Sequence, residues 1–236
     1  MNLPTTNTKK RRIRPRVFIT GASGKIGIKV LEIFLSMGFR VVAQYSKNDK
    51  KIKDFLAEKP AYKRKNVELL KANFETEVPE IPRDISCLVN CASIFETGNL
   101  ENCNSLLKQS LMNCFFPAEL TSQFAKFAEK GVIINFLDGN IYRFNEFYQN
   151  YRISKLFFEE ITKQSALLFA PKIRVNAIAL GMLEDQKNRS NLRAKKKEIL
   201  KNEITYKNIA KSIEFLVNCE NLTGQIIYLD NGVHLI

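Results

Sequence analysis

Residues 17–27 read Val17-Phe18-Ile19-Thr20-Gly21-Ala22-Ser23-Gly24-Lys25-Ile26-Gly27. A short apolar run leads into a turn of small residues, and a helical pattern of apolar residues follows, which predicts a strand, a turn and a helix. Small residues let the backbone approach a pyrophosphate, and the N-terminus of the next helix offers it unpaired N–H groups. The stretch therefore favours a dinucleotide site, although glycine turns open helices in many other folds. The residues predicted to contact the cofactor here are Gly21, Ser23, Lys25, Ile26 and Gly27.

The rest of the chain alternates short apolar runs with amphipathic helices, which demands a mainly parallel sheet with right-handed crossovers. We predict an α/β fold, a Rossmann-like doubly wound parallel sheet of about seven strands with helices on both faces. The predicted strands cover residues 16–20, 40–45, 66–70, 86–90, 132–136, 173–178 and 225–229. The 236 residues suit one domain, predicted over 16–236 behind a disordered basic tail at 1–15. We also predict one long helix over 103–129, bent near Pro117, and a helical flap over 184–201.

The net charge of +13 raises the question of nucleic-acid binding. The positive residues are spread along the chain, which favours a lysine-rich solvated surface; attraction of anions, including a phosphorylated cofactor, is the functional alternative. No apolar run approaches the roughly 18 residues of a membrane span, and the N-terminus has no secretory core. The five Cys form no C-x-x-C pair, so we expect reduced thiols in a cytoplasmic protein, and no metal site is predicted.

The end of the second predicted strand indicates which dinucleotide is bound. NAD sites commonly place an acid there for the ribose 2′-OH, whereas this strand ends in Gln44-Tyr45-Ser46-Lys47. A hydroxyl and a cation fit a 2′-phosphate, and Lys25 adds a second cation, so we predict NADP(H); merely exposed lysines are the alternative. Tyr45, Ser46 and Lys47 are predicted contacts, and Asn73 is predicted to bond the adenine edge.

Tyr151 and Lys155 lie one helical turn apart after the fifth predicted strand. A lysine beside a phenol favours the phenolate, so we expect the pKa of Tyr151 to be lowered. Such a tyrosine is a proton donor suited to hydride transfer near neutral pH. The Tyr-x-x-x-Lys pattern is weak when it stands alone.

Together these positions resemble the short-chain dehydrogenase/reductase family over residues 16–236. Further matches are Asn90-Cys91-Ala92-Ser93, Asn113, Ile173-Arg174-Val175-Asn176, Thr223-Gly224-Gln225 and Leu229-Asp230-Asn231-Gly232. Lys25 replaces the family's middle glycine, and Leu180 replaces a proline before Gly181. The resemblance implies that Asn90, Ala92, Ser93, Gly181, Tyr151 and Lys155 contact the cofactor. It also implies that Asn113 holds a water in the proton relay, and that the protein is a homotetramer assembled through the helices holding Asn113 and Tyr151.

Asp138 stands where the family has its catalytic serine. An ionised carboxylate only accepts hydrogen bonds, so it would repel an oxyanion but bind a substrate that offers N–H groups. A protonated Asp138 could instead pass a proton to nitrogen. In the alternative interpretation Leu137-Asp138-Gly139-Asn140 is only a turn, the serine is missing and the enzyme is impaired.

The same feature occurs in the pteridine reductase branch, which includes dihydromonapterin reductases and resembles this chain at Lys25, Ala92-Ser93-Ile94-Phe95 and Val233-His234-Leu235. The branch implies that Phe95 stacks on the substrate ring and that Tyr148 lines its pocket; a core aromatic and a surface tyrosine are the alternatives. It implies hydride transfer from NADPH to a dihydropterin, with Asp138 and Tyr151 relaying the proton and also contacting the substrate.

Two other functions stay open. One is a 3-oxoacyl or enoyl acyl-carrier-protein reductase; the first would want serine at position 138, and the second would use the wider spacing of Tyr148 and Lys155. The other is a non-catalytic protein that binds NADP(H) or, through the basic tail, nucleic acid.

Overall fold

The computed structural model of the protein describes residues 14–183 and 198–236. Nearly all of the predicted basic tail and most of the predicted flap, residues 184–197, lie outside the described residues. The last residues assigned to the flap, 198–201, are described and form irregular chain instead of helix.

Seven parallel strands form one sheet in the order β3-β2-β1-β4-β5-β6-β7. The strands are β1 (Arg16–Ile19), β2 (Arg40–Tyr45), β3 (Val67–Lys71), β4 (Cys87–Asn90), β5 (Gly131–Asp138), β6 (Ile173–Leu180) and β7 (Ile226–Leu229). The prediction of a doubly wound parallel sheet is therefore confirmed. The strand order reverses beside β1, which has β2 on one side and β4 on the other. In sheets of this kind a ligand crevice opens at that point, outside the carboxyl ends of the strands.

Helices cover both faces of the sheet because successive strand residues point to opposite sides. In β1, Val17 and Ile19 pack with α1 and α7, whereas Phe18 packs on the other face with α5. The helices are α1 (Lys25–Ser36), α2 (Lys50–Ala57), α3 (Ala61–Arg64), α4 (Cys103–Ser110), α5 (Phe116–Phe127), α6 (Gln149–Leu168) and α7 (Tyr206–Asn218). Among the described residues, no helix combines the length and the apolar character needed to cross a membrane.

The predicted long helix over 103–129 is present as helical backbone without a break from Cys103 to Phe127, but its hydrogen-bond pattern changes inside it. A π-helical turn at Leu111–Phe115 separates α4 from α5. Pro117 directly follows this turn and has no N–H to donate to it, so the irregularity falls next to the proline, where a bend was expected. Strand β5 also extends beyond its predicted end and makes Asp138 its last residue.

Candidate active site

The glycine turn is packed against the loop that follows β4. Gly21 has a φ of 64°, and a Cβ on it would lie 2.7 Å from Cα of Ala92. A Cβ on Gly27 would lie 2.1 Å from the carbonyl oxygen of Gly21. The Oγ1 of Thr20 accepts hydrogen bonds from the backbone N–H groups of Cys91 and Ala92, both at 3.0 Å. Larger residues would therefore force the turn away from the loop.

A cavity of about 670 Å³ opens between this turn and the ends of β2, β3 and β4. The predicted cofactor residues that line it are Gly21, Ser23, Ser46, Lys47, Asn73, Ala92 and Ser93. A backbone cradle that admits no side chain and a lysine-rich rim fit a phosphorylated dinucleotide. No cluster of His, Cys, Asp or Glu suited to a metal ion occurs within the part of the chain that the structure describes.

Several predicted cofactor residues lie away from the lining of this cavity. The Asn90 amide faces the interior and donates to Oδ1 of Asn135 at 2.9 Å, so its contribution is to the sheet. Ile26 and Tyr45 pack against the hydrophobic core, and Gly181 lies against Asp230, where a Cβ would be 2.7 Å from Cα. Gly27 packs directly against the carbonyl group of Gly21 and so contributes to the shape of the turn. Lys25 is exposed at the start of α1 and is not among the lining residues.

Lysines expected on the solvated surface border the cavity near the end of β2. Lys50 and Lys51, in the first turn of α2, lie there with Lys47. Lys50 also pairs with Asp54 at 2.7 Å. The hydroxyl of Ser46 donates to Oδ1 of Asn73 at 3.1 Å, which joins the ends of β2 and β3. The run of lysines from 47 to 53 was the sequence feature that pointed to this positively charged side of the cavity. The spacing of charges does not show which of these lysines lie at a cavity.

Asp138 and Tyr151 form a hydrogen-bonded pair. The Tyr151 hydroxyl donates to Oδ2 of Asp138 at 3.1 Å, and Oδ1 of Asp138 accepts from the Asn140 backbone N–H at 2.7 Å. The carboxylate therefore belongs to a turn and also faces the tyrosine, so it is more than a turn residue.

The expected lowering of the tyrosine pKa by Lys155 does not occur. Burial raises the pKa of Tyr151 well above its usual range, and the charge of Asp138 and the hydrogen bond to it raise it further. The nearby Ser93 side chain opposes this shift of the Tyr151 pKa. Lys155 Nζ donates instead to the backbone carbonyl of Phe136 at 3.0 Å. Burial lowers the pKa of Lys155 to about 8, against the charge of Asp138, which raises it.

Asn113 lies in the π-helical turn and is fully buried. Its Oδ1 accepts from the Ser93 hydroxyl at 2.9 Å and the Ile94 N–H at 2.8 Å. Its Nδ2 donates to the Ile94 carbonyl and to Oγ of Ser154, both at 3.0 Å. An amide side chain has two donors and two acceptor positions, so these bonds occupy it fully. The side chain therefore ties the β4 loop to α6.

Three aromatic rings meet beside the Asp138–Tyr151 pair. Phe95 stacks on Tyr148 with ring centroids 4.5 Å apart and an interplanar angle of 9°. The edge-to-face contact of Phe95 with Tyr151 has centroids 4.6 Å apart. Phe95 is 61% exposed, which rules out the alternative of a core aromatic. The site therefore places exposed aromatic rings beside the hydrogen-bonded Asp138–Tyr151 pair, a surface that suits a planar ring.

Solved structures with the same fold include two described as FolM alternative dihydrofolate reductase 1, complexed with NADP. The one from Brucella canis is 22% identical, with a TM-score of 0.82 over 94% of this chain and 95% of that chain. The one from Brucella suis is 23% identical, with a TM-score of 0.83 over 94% and 96%. A short chain dehydrogenase/reductase family protein is 18% identical, with a TM-score of 0.81 over 94% and 98%.

No curated protein matches the chain significantly in sequence. A family model described as enoyl-(acyl carrier protein) reductase matches residues 21–234, which span the glycine turn, the Asp138–Tyr151 pair and the six strands β2 to β7. The chain therefore belongs to this family of short-chain dehydrogenases/reductases.

Proposed function

We propose that the protein is an NADPH-dependent reductase that transfers hydride to a pteridine ring, such as a dihydropterin or a dihydrofolate-like compound. The observation that carries the proposal is the carboxylate of Asp138, hydrogen-bonded to the Tyr151 hydroxyl, beside the exposed ring of Phe95. A carboxylate accepts hydrogen bonds from ring N–H groups, which simple ketones lack. The two Brucella proteins of the same fold are described as dihydrofolate reductases, which supports this substrate class.

NADP(H) is the proposed cofactor, and when bound it supplies the hydride. The glycine turn would hold its pyrophosphate, and Ser46, Lys47 and Lys51 would hold its 2′-phosphate. The NADP bound in both Brucella structures supports this choice. Lys155 would bind the nicotinamide ribose, and Phe95 would stack on the substrate ring.

Tyr151 and Asp138 would carry out the proton transfer in this mechanism. The raised pKa keeps Tyr151 protonated at neutral pH, and its hydroxyl, which donates to Asp138 in the free protein, would turn to donate to a substrate nitrogen. Asp138 would accept an N–H of the substrate and orient the ring. Asn113 and Ser93 would hold the β4 loop, and thereby Phe95, in place.

Acyl reduction is the second candidate, because the matching family model is described as enoyl-(acyl carrier protein) reductase. In that function Tyr148 and Lys155 would be the catalytic pair. Tyr148 lies at the start of α6 and stacks on Phe95.

The deciding experiment follows NADPH consumption by the purified full chain, with dihydrobiopterin, dihydromonapterin, acetoacetyl-CoA and crotonyl-CoA offered separately. We expect turnover of a pterin, which Asp138→Ser reduces strongly. Asp84→Ser is the control, because Asp84 pairs with Arg16 and Arg40 outside the proposed site. Turnover of an acyl substrate alone would reject the pterin assignment. Tight NADPH binding without any turnover would favour a binding protein.

A further inference from the structure

Gln44 is the penultimate residue of β2 and is only 2% exposed. In the structure its Oε1 accepts a hydrogen bond from the Gly21 N–H at 2.7 Å. Its Nε2 donates to the carbonyl of Ala72 at 2.7 Å, and its own backbone carbonyl accepts from the Ala22 N–H at 2.8 Å. One buried residue thus bonds both the glycine turn and the chain leaving β3.

The chemistry of this bridge requires a glutamine. One partner is an N–H donor and the other is a carbonyl acceptor, so the side chain must accept at one atom and donate at the other. A glutamate would place a carboxylate oxygen against the Ala72 carbonyl. A methionine of similar length would leave two buried backbone groups without partners.

The two segments that Gln44 joins form different parts of the same cavity. Gly21 belongs to the cradle proposed for the pyrophosphate. Ala72 precedes Asn73, which bonds Ser46 in the corner proposed for the 2′-phosphate and adenine. Gln44 itself also lines the cavity. A dinucleotide that occupies both parts of the cavity requires a fixed distance between them. If the free protein already holds the two parts at that distance, less conformational entropy is lost on binding.

We propose that Gln44 is a positioning residue that holds the glycine turn and the adenosine end of the cavity at the separation that NADP(H) requires. This role rests on the proposed cofactor. It acts through the backbone of Gly21 and Ala72, in contrast with Lys47 and Lys51, whose role is charge. It predicts a loss of cofactor affinity with little change in the chemical step.

The test is NADPH titration by fluorescence with the full chain, comparing wild type, Gln44→Met and Gln109→Met. Gln109 is the matched control because it is fully buried and its Nε2 bonds Oγ of Ser105 within α4. We expect Gln44→Met to weaken NADPH binding about tenfold or more, while kcat at saturating NADPH changes by less than about threefold. Gln109→Met should lower the melting temperature and leave the NADPH Kd within about twofold of wild type.

Gln44→Met that binds NADPH as tightly as wild type would overturn this role and leave the proposed function standing. Wild-type protein that binds no NADPH would overturn the cofactor assignment and this role together. Should Gln44→Met fail to fold, Gln44→Asn decides, because it keeps an uncharged amide but is one methylene too short to reach Gly21 and Ala72 together. We expect it to weaken NADPH binding, and unchanged binding would reject the role.

Discussion

At the scale of single residues, burial controls the chemistry of the proposed site. Tyr151 and Lys155 lie one turn apart as the sequence indicates, but their electrostatic relation differs from the expected one. Lys155 bonds the Phe136 carbonyl, and Asp138 is the charge next to the Tyr151 hydroxyl. The spacing of two residues on a helix says which face they share, whereas their pKa values depend on everything packed around that face.

Tyr151→Phe removes the proposed proton donor. We expect turnover of the pterin to fall by about a hundredfold or more, because general acid catalysis commonly contributes at least that factor. NADPH binding should stay within about threefold of wild type, as measured by fluorescence titration. Tyr62→Phe, at an exposed position on α3, should leave both quantities unchanged. Full activity of Tyr151→Phe would assign the proton transfer to another group.

Lys155 makes the stability of the free protein depend on pH. The pKa of Lys155 is about 8 in the folded protein and 10.5 in the unfolded chain. Below pH 8 the lysine is charged in both states, and burying that charge destabilises the folded protein by about 3 kcal/mol. Between these values the unfolded chain binds more protons, so this penalty disappears as pH rises. We expect thermal melts of wild type, measured against Lys155→Met, to show wild type gaining relative stability from pH 8 to 10. A constant difference would mean that Lys155 is not desolvated.

At the scale of elements, the π-helical turn decides where the proposed site is assembled. The apolar spacing from 103 to 129 favours a continuous helix, and nothing local in it marks Leu111–Phe115 for a different hydrogen-bond pattern. The turn coincides with the four hydrogen bonds of Asn113 to the β4 loop and α6. Single π-helical turns occur often at functional sites, and this one presents the amide to the loop that carries Phe95.

Asn113→Ala is expected to damage stability and activity together. It leaves the backbone groups of Ile94 without their partners, which should cost about 2 kcal/mol or more in the free energy of unfolding by urea. Turnover should fall because the Phe95 loop loses its tie to α6. Asn102→Ala removes the N-terminal cap of α4, where Asn102 accepts from Ser105 N–H at 3.0 Å, and should cost about 1 kcal/mol while sparing turnover. If Asn113→Ala and Asn102→Ala affected turnover equally, Asn113 would have no role in the proposed site beyond general stability.

At the scale of the whole molecule, apolar side chains on the outer faces of the central helices support the proposed homotetramer. Leu107 and Phe115 are exposed on the α4 side, and Phe157 and Leu168 are exposed on α6. Exposed apolar faces of this kind commonly bind a second subunit. The proposed subunit contact uses the helices that hold Asn113 and Tyr151.

Phe157→Lys tests this assembly. Charge on a buried subunit contact is costly, so we expect the variant to elute as a smaller species than wild type in size-exclusion chromatography with light scattering. Lys211→Glu, an exposed change of charge on α7, should leave the assembly intact. A monomeric wild-type protein would reject the homotetramer.

The sequence by itself determined the sheet, its strands and the family, because strand and helix periodicities and the glycine turn are local properties of the chain. It also placed Asp138, Tyr151, Lys155 and Phe95 at one edge, since parallel strands bring their carboxyl ends together. Only the tertiary structure decided that Gln44 bridges Gly21 and Ala72. It also decided that the Asn113 side chain hydrogen-bonds the β4 loop and that the pKa of Tyr151 is raised. Those outcomes depend on contacts between residues far apart in the chain and on their burial, and no local pattern records either.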